Sequence, residues 1–95
     1  MKFGLQNKDY LKAKGIIERY PQVTRVVVFG SRAKGLSEDG SDLDLALIGD
    51  IDSDLIAIIR RDFDNSTLQY CVDLVNYSSV DDSLKKEIDS FGLEF

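Results

Sequence analysis

Apolar residues recur at helical spacing in three parts of the chain, and each part predicts a helix with one core-facing stripe. The first helix covers about residues 8–20, with Asn7 as its cap and Pro21 as its stop. The second covers about residues 53–64. The third begins at Ser79 and ends at Gly92. The predicted stripes are Tyr10, Ala13, Ile17 and Tyr20, then Leu55, Ile56, Ile58, Ile59 and Phe63, then Val80, Leu84, Ile88 and Phe91.

Short apolar runs between these helices predict three strands, over residues 25–29, 42–48 and 69–76. The first run is rich in β-branched residues, which is typical of a central strand. One helical turn over residues 31–35 and a polar loop over residues 36–41 join the first two strands. The order is therefore α-β-α-β-α-β-α, and residues 93–95 add a short edge strand. This order predicts a single α/β or α+β sheet domain.

Size and composition agree with one domain over residues 1–95, because 95 residues with 43% hydrophobic content build one modest core. The first residues lack a signal pattern, and no apolar run approaches the ~20 residues of a membrane span. A cytoplasmic protein without a membrane partner is therefore expected.

Net charge and amino-acid composition exclude several kinds of catalysis and binding. The chain has no histidine and one cysteine, which removes Ser-His-Asp and Cys-His catalysis, histidine metal sites and an intrachain disulfide. The net charge of −5 argues against direct nucleic-acid binding. Any catalysis must use carboxylates, hydroxyls, backbone amides and metal.

The end of the first predicted strand runs into Gly30 and Ser31. Glycine lets the backbone approach a ligand, and a helical turn that starts at Ser31 offers free N–H groups to a phosphate. An ordinary strand-to-helix turn with serine as its cap has the same sequence. Gly30 and Ser31 alone therefore do not distinguish a phosphate site from an ordinary turn.

Two acids, Asp42 and Asp44, stand two residues apart in the second predicted strand, so both side chains point to the same face. Carboxylates this close repel each other unless a cation lies between them, and Mg²⁺ takes carboxylates together with phosphate oxygens. A solvent-exposed strand face is the alternative for the pair alone.

A third acid, Asp73, stands among apolar residues in the third predicted strand, where an acid is unusual unless it faces a site. If this strand neighbours the second, Asp73 can join Asp42 and Asp44. Three carboxylates with two Mg²⁺ ions carry a net charge of +1, which would attract a nucleoside triphosphate. A solvent-facing residue on an edge strand is the alternative for Asp73.

Taken together, these motifs resemble the DNA polymerase β-like nucleotidyltransferase superfamily. The segments over residues 29–35, 41–45 and 72–75 are most similar to the minimal nucleotidyltransferase (MNT) proteins, which usually occur with a HEPN-domain partner. The resemblance covers nearly the whole chain and implies the polymerase β-like fold, a small mixed β-sheet flanked by helices. The loop over residues 36–40 departs from the family, since it is acidic where relatives often carry a basic or small residue.

The resemblance also implies roles for individual residues. Gly30 and Ser31 would hold the phosphates of ATP or another NTP, and Arg32 would contact phosphate or the partner. Asp42 and Asp44 would bind both Mg²⁺ ions, while Asp73 would bind the catalytic metal and help to deprotonate the attacking hydroxyl. Arg32 ranks below the acids, because an exposed arginine in a short helix is often only solvated.

Three functions follow from the resemblance. The first is an enzyme that transfers an NMP, such as AMP from ATP, to a tyrosine of a HEPN toxin and so acts as an antitoxin. The second is a non-catalytic antitoxin or regulatory subunit that binds nucleotide or covers its partner. A small-molecule nucleotidyltransferase is the third, although such enzymes usually carry an added helical domain. The sequence does not choose between a homo-oligomer and a heteromeric complex.

Overall fold

The chain folds into a four-stranded sheet with helices on both faces. The computed structural model describes residues 3–35, 42–68 and 70–95. In chain order, the elements are α1 (Asn7–Glu18), β1 (Val23–Phe29), β2 (Leu43–Gly49), α2 (Ser53–Asp64), β3 (Val72–Asn76), a 3₁₀ helix (Tyr77–Ser79), α3 (Asp82–Phe91) and β4 (Leu93–Glu94). The predicted mixed α/β class is confirmed.

The strands lie in the order β3-β2-β1-β4, so β1 is a central strand as predicted. β1 runs antiparallel to both β2 and β4, whereas β2 and β3 are parallel. A parallel pair needs a long crossover, and α2 supplies it. The neighbouring position of β2 and β3 meets the condition on which the three-acid hypothesis depended.

The two faces of the sheet bury different residues. Leu43, Leu45 and Leu47 alternate along β2 and pack with α1 and α2 on one face. Ala46 lies between them in sequence and packs with α3 on the other face, together with Phe29 and Ile88. Every second residue of β2 therefore faces α3, and this sets the direction of the acid side chains.

Helix α2 begins and ends where the sequence pattern predicts. The Asp52 side chain accepts a hydrogen bond from the Leu55 N–H at 2.8 Å, which caps the first turn. Of the predicted core stripe, Ile56, Ile59 and Phe63 are buried. The prediction for Ile58 is wrong, because it lies one residue from Ile59 and thus about 100° around the helix, where 40% of it is exposed.

The predicted starts of the other two helices are wrong. Gln6, not Asn7, occupies the cap position of α1, and its side chain makes no capping bond. Helix α3 starts three residues after Ser79, because the Asp81 side chain accepts from the Leu84 N–H at 2.8 Å and Ser79 lies in the 3₁₀ helix. None of the helices in the described ranges is long and apolar enough to cross a membrane.

Some strand boundaries and one connection differ from the prediction, and β1 begins at Val23, two residues before its predicted start. β3 begins at Val72, after the predicted start at residue 69, which itself lies outside the described residues. Residues 31–35 form a hydrogen-bonded turn and not a helix, so the second helix of the predicted order is absent there. The predicted loop over residues 36–41 lies outside the described residues. The short edge strand near the end is confirmed as β4.

Candidate functional site

The turn after β1 is a single hydrogen-bonded loop of main chain. The Lys34 N–H donates to the Gly30 oxygen and the Gly35 N–H to the Arg32 oxygen, each at 3.3 Å. Gly30 and Gly35 open and close the turn with φ of 74° and 71°, in the left-handed region that favours glycine. Half-buried Ser31 follows Gly30 at the start of the turn.

Gly30 also lies directly against an acid. A Cβ atom at this position would stand 2.4 Å from Asp44 Oδ2 and 3.4 Å from its Cγ. Since Phe29 pairs with Asp44 across the β1–β2 ladder, the turn starts where this carboxylate lies. The structure therefore brings the predicted phosphate turn into contact with Asp44, one member of the predicted metal pair.

Asp44 and Asp73 are direct partners in the parallel β2–β3 ladder. Their chain neighbours Leu43, Leu45 and Leu74 are buried on the α1–α2 face, so both acids point to the α3 face. Asp42 immediately precedes β2, is exposed, and shares this direction by its two-residue spacing from Asp44. The structure thus brings the three predicted acids to one edge of one face.

The clustering of the acids changes the pKa of Asp44. Burial raises the pKa of the Asp44 carboxyl, and the negative charges of Asp73, Asp42 and Glu87 raise it further. The positive charge of Arg32 acts in the opposite direction on the same pKa. An acid that is half-buried among other acids is a frequent mark of a functional site.

Asp73 is exposed, and β3 is one of the two edge strands of the sheet. Its surroundings alone would therefore fit a solvated edge residue, the alternative that the sequence left open. Its distinguishing property is the register that sets it beside Asp44. An exposed carboxylate in this position can meet a group that approaches from solvent.

The prediction that Arg32 is an exposed side chain is wrong. Arg32 is only 4% exposed, its Nη1 donates to the Phe3 oxygen at 2.8 Å, and its guanidinium lies 4.8 Å from the centre of the Tyr70 ring. These contacts join the turn to the segment before α1 and to the segment before β3. These contacts of the Arg32 side chain therefore stabilise the turn.

Two charged residues beside the site are not among the predicted site residues. Lys34 Nζ lies 2.7 Å from Glu87 Oε1 of α3, and Glu87 is one of the acids that raise the pKa of Asp44. Lys34 stands in the turn and could have been found by its charge. Glu87 carries no comparable signal, because an acid on a polar helix face is usually solvated.

The donor chemistry of the site suits a hard cation. Among residues 3–35, 42–68 and 70–95, no three His, Cys, Asp or Glu side chains are close enough to hold one ion by themselves. Mg²⁺ usually takes one or two carboxylates and completes its shell with phosphate oxygens and water. Asp42, Asp44 and Asp73 fit this requirement, since they offer oxygens only and repel each other without a cation.

The sequence matches the family described as "Polymerase beta, Nucleotidyltransferase" over residues 12–93. The chain belongs to this family. The matched range contains the turn and the three acids. The predicted polymerase β-like superfamily is confirmed, and with it the predicted class of enzyme, the nucleotidyltransferases.

A relative within the nucleotidyltransferases is the probable protein adenylyltransferase MntA of Haemophilus influenzae. It is 29% identical over 86 residues, which are 88% of this chain and 75% of that protein.

Two solved structures share the fold. A toxin–antitoxin with AMP-PNP has a TM-score of 0.73 at 23% identity, over 95% of this chain and 72% of the other. The second contains a tri-AMPylated Shewanella oneidensis HEPN toxin in complex with an MNT antitoxin. Its TM-score is 0.64 at 22% identity, over 90% of this chain and 70% of the other. The polymerase β-like fold is confirmed.

Proposed function

We propose that this chain transfers an NMP, with AMP from ATP as the first candidate, to a tyrosine hydroxyl of a HEPN-domain toxin and thereby acts as an antitoxin. Family membership supports nucleotidyl transfer. The similarity to MntA supports a protein acceptor, and the fold is shared with toxin–antitoxin complexes.

One observation carries the proposal. Asp44 touches the position of Gly30 on one side and pairs with Asp73 on the other. A phosphate at the turn would therefore lie next to carboxylates that are suited to Mg²⁺. Neither the turn nor the acid pair alone would support this chemistry.

The turn would bind the phosphates of the nucleotide, and the acids would bind Mg²⁺. Main-chain N–H groups near Gly30 and Ser31 would donate to phosphate oxygens. We assign the accompanying positive charge to Lys34, because Arg32 is buried and directed toward Phe3. Mg²⁺ held by Asp42 and Asp44, with Asp73 at the catalytic ion, would lower the pKa of the acceptor hydroxyl and neutralise the leaving pyrophosphate.

Asp73 would accept the proton of the acceptor tyrosine hydroxyl. The tyrosine oxygen attacks the α-phosphorus, the bond from that phosphorus to the bridging oxygen breaks, and pyrophosphate leaves. The hydroxyl proton passes to the exposed Asp73 carboxylate. Most of the rate enhancement would come from alignment and from charge stabilisation.

The test is to incubate the chain with Mg²⁺, α-labelled ATP and a candidate HEPN-domain partner from the same organism. The variant Asp42→Asn/Asp44→Asn should lose label transfer by at least about 10²-fold. The matched control is Asp50→Asn/Asp64→Asn, which removes the same charge at two exposed positions outside the site and should keep the transfer.

The outcomes separate the hypotheses. Label on the partner only when the site acids are intact would establish the transferase. Neutralisation of the partner by the site variant, without label, would instead identify a non-catalytic antitoxin. Absence of label on any protein, with label on a small hydroxyl compound, would indicate a small-molecule enzyme.

A further inference from the structure

An ion pair ties the phosphate turn to α3. Lys34 Nζ lies 2.7 Å from Glu87 Oε1, and only about a third of each side chain is exposed, 32% and 35%. The pair joins the turn that follows β1 to a helix far along the chain. Its partial burial distinguishes it from the Arg25–Glu94 pair on the neighbouring strands, whose side chains are 59% and 63% exposed.

Helix α3 makes a second contact with the same lysine. Lys34 Nζ lies 4.9 Å from the centre of the Phe91 ring, and Phe91 follows Glu87 by one helical turn. A carboxylate and an aromatic face thus hold the ammonium from one side of α3. Phe91 is 54% exposed despite its predicted place in the apolar stripe, and this lysine lies over it.

Glu87 also stands within electrostatic reach of the acids. Its charge is one of those that disfavour ionisation of Asp44. The ammonium that would meet the phosphates is therefore paired with a carboxylate that itself adds negative charge beside the site. An arriving polyphosphate has to replace Glu87 as the partner of Lys34.

We propose that Glu87 is a positioning residue that holds Lys34 at α3 and is exchanged for a phosphate oxygen when the nucleotide binds. This inference rests on the proposed nucleotidyl transfer. Glu87 weakens nucleotide affinity but does not take part in the chemical step. Its loss should therefore change KM and leave kcat nearly unaltered.

Binding is tested with Mg²⁺–ATP by titration calorimetry on four proteins: the unaltered chain, Glu87→Gln, Glu87→Asp and Glu94→Gln. Glu87→Gln should bind the nucleotide about two- to fivefold more tightly, as expected for the loss of one competing ion pair. Glu87→Asp keeps the charge and should stay close to the unaltered chain. Glu94→Gln removes the same charge from the Arg25 pair and should leave the affinity unchanged.

A second measurement follows Lys34 without nucleotide. The rate of acylation of its amine, read by mass spectrometry, should rise in Glu87→Gln and not in Glu94→Gln. An unchanged rate would overturn the holding contact, whatever the nucleotide does. Equal nucleotide affinity of the unaltered chain and Glu87→Gln would overturn the exchange.

Failure of the proposed nucleotidyl transfer would give a different experimental result from failure of the exchange alone. If neither the unaltered chain nor any variant binds Mg²⁺–ATP, nucleotidyl transfer is overturned and the exchange with it. A parallel loss of kcat in Glu87→Gln would also contradict the inference, since it would put Glu87 in the chemical step.

Discussion

Asp44 holds its carboxylate where both burial and neighbouring charges oppose ionisation. One carboxylate oxygen of its side chain occupies the space that glycine leaves at position 30. The parallel ladder places Asp73 directly beside Asp44 in the sheet. We therefore expect these acids to favour a ligand with positive charge and to lower the stability of the free protein.

Asp44→Asn should raise the free energy of unfolding at neutral pH, while it abolishes transfer. The raised pKa of Asp44 means that the folded protein favours its protonated form. The stabilising contribution of that proton is complete below the unfolded-state pKa and is lost as pH rises through the folded-state pKa. The gain should be about 1 kcal/mol or less, because the site is partly open to solvent.

Denaturant unfolding without divalent cations, at a series of pH values, measures this effect. The difference between Asp44→Asn and the unaltered chain should shrink as pH falls through the titration of Asp44. It should also be smaller in an Asp73→Asn background, which removes one source of the repulsion. A difference that does not vary with pH would contradict the electrostatic explanation.

At the scale of elements, the turn after β1 depends on two glycines in different ways. Both have positive φ, but a Cβ at Gly35 meets no atom of the described residues within 4 Å, whereas a Cβ at Gly30 meets Asp44. Backbone conformation alone requires Gly35. Backbone conformation and contact with the acid together require Gly30.

Gly35→Ala should therefore lower the free energy of unfolding by about 1 kcal/mol, from backbone strain. Gly30→Ala should cost up to about 1 kcal/mol more, because the added methyl has to push the end of the Asp44 side chain aside. It should also weaken nucleotide binding more than Gly35→Ala does. Thermal unfolding and ATP titration of both variants provide the measurement, and equal effects of the two substitutions would show that the contact with Asp44 is unimportant.

The sequence predicted the elements best where local signals coincide with packing. Helix α2 has an aspartate cap and a clear apolar stripe, and its bounds were predicted correctly. The start of α3 was predicted at Ser79, whereas the Asp81 side chain caps it, and the sequence pattern does not show which side chain will accept from the free N–H groups. Asp42 and Asp44 were predicted from their spacing and Asp73 from its apolar neighbours, and their convergence required only that β2 and β3 be neighbours.

The site contacts that the sequence did not predict join residues far apart in the chain. Arg32 is buried in contact with Phe3 and Tyr70, and Glu87 lies near the acids because α3 packs on the sheet face to which they point. Local patterns carry no information on such contacts. An arginine or glutamate at these positions is equally compatible with a solvated surface.

At the scale of the whole molecule, the first helix is tied to the last strand. The Tyr10 hydroxyl donates to the Phe95 main-chain oxygen at 2.6 Å in the interior, and the two rings pack at 4.9 Å between centroids. Phe95 N–H donates in turn to the Val26 oxygen at 2.9 Å. The edge of the sheet beside β1 is therefore closed by contacts between the two ends of the described fold.

Tyr10→Phe should lower the free energy of unfolding by about 1–3 kcal/mol, because it removes a buried donor and leaves the Phe95 oxygen without it. The matched control is Tyr77→Phe, which removes a hydroxyl that donates to Asp89 at 2.6 Å on the exposed side of α3. That change should cost about 0.5 kcal/mol or less. Thermal or denaturant unfolding of both variants compares the two, and similar losses would contradict the role of the buried bond.

The pairing of Phe29 with Asp44 has a consequence for how such proteins diverge. Because the β1–β2 ladder fixes the contact between Gly30 and Asp44, the number of residues that join the strands does not determine it. Insertions or deletions between positions 36 and 41 can therefore accumulate in descendants while the contact survives. A search for distant members of the family should accordingly score the pairing of a strand-end glycine with a strand acid, and treat the number of residues between Ser31 and Asp42 as variable.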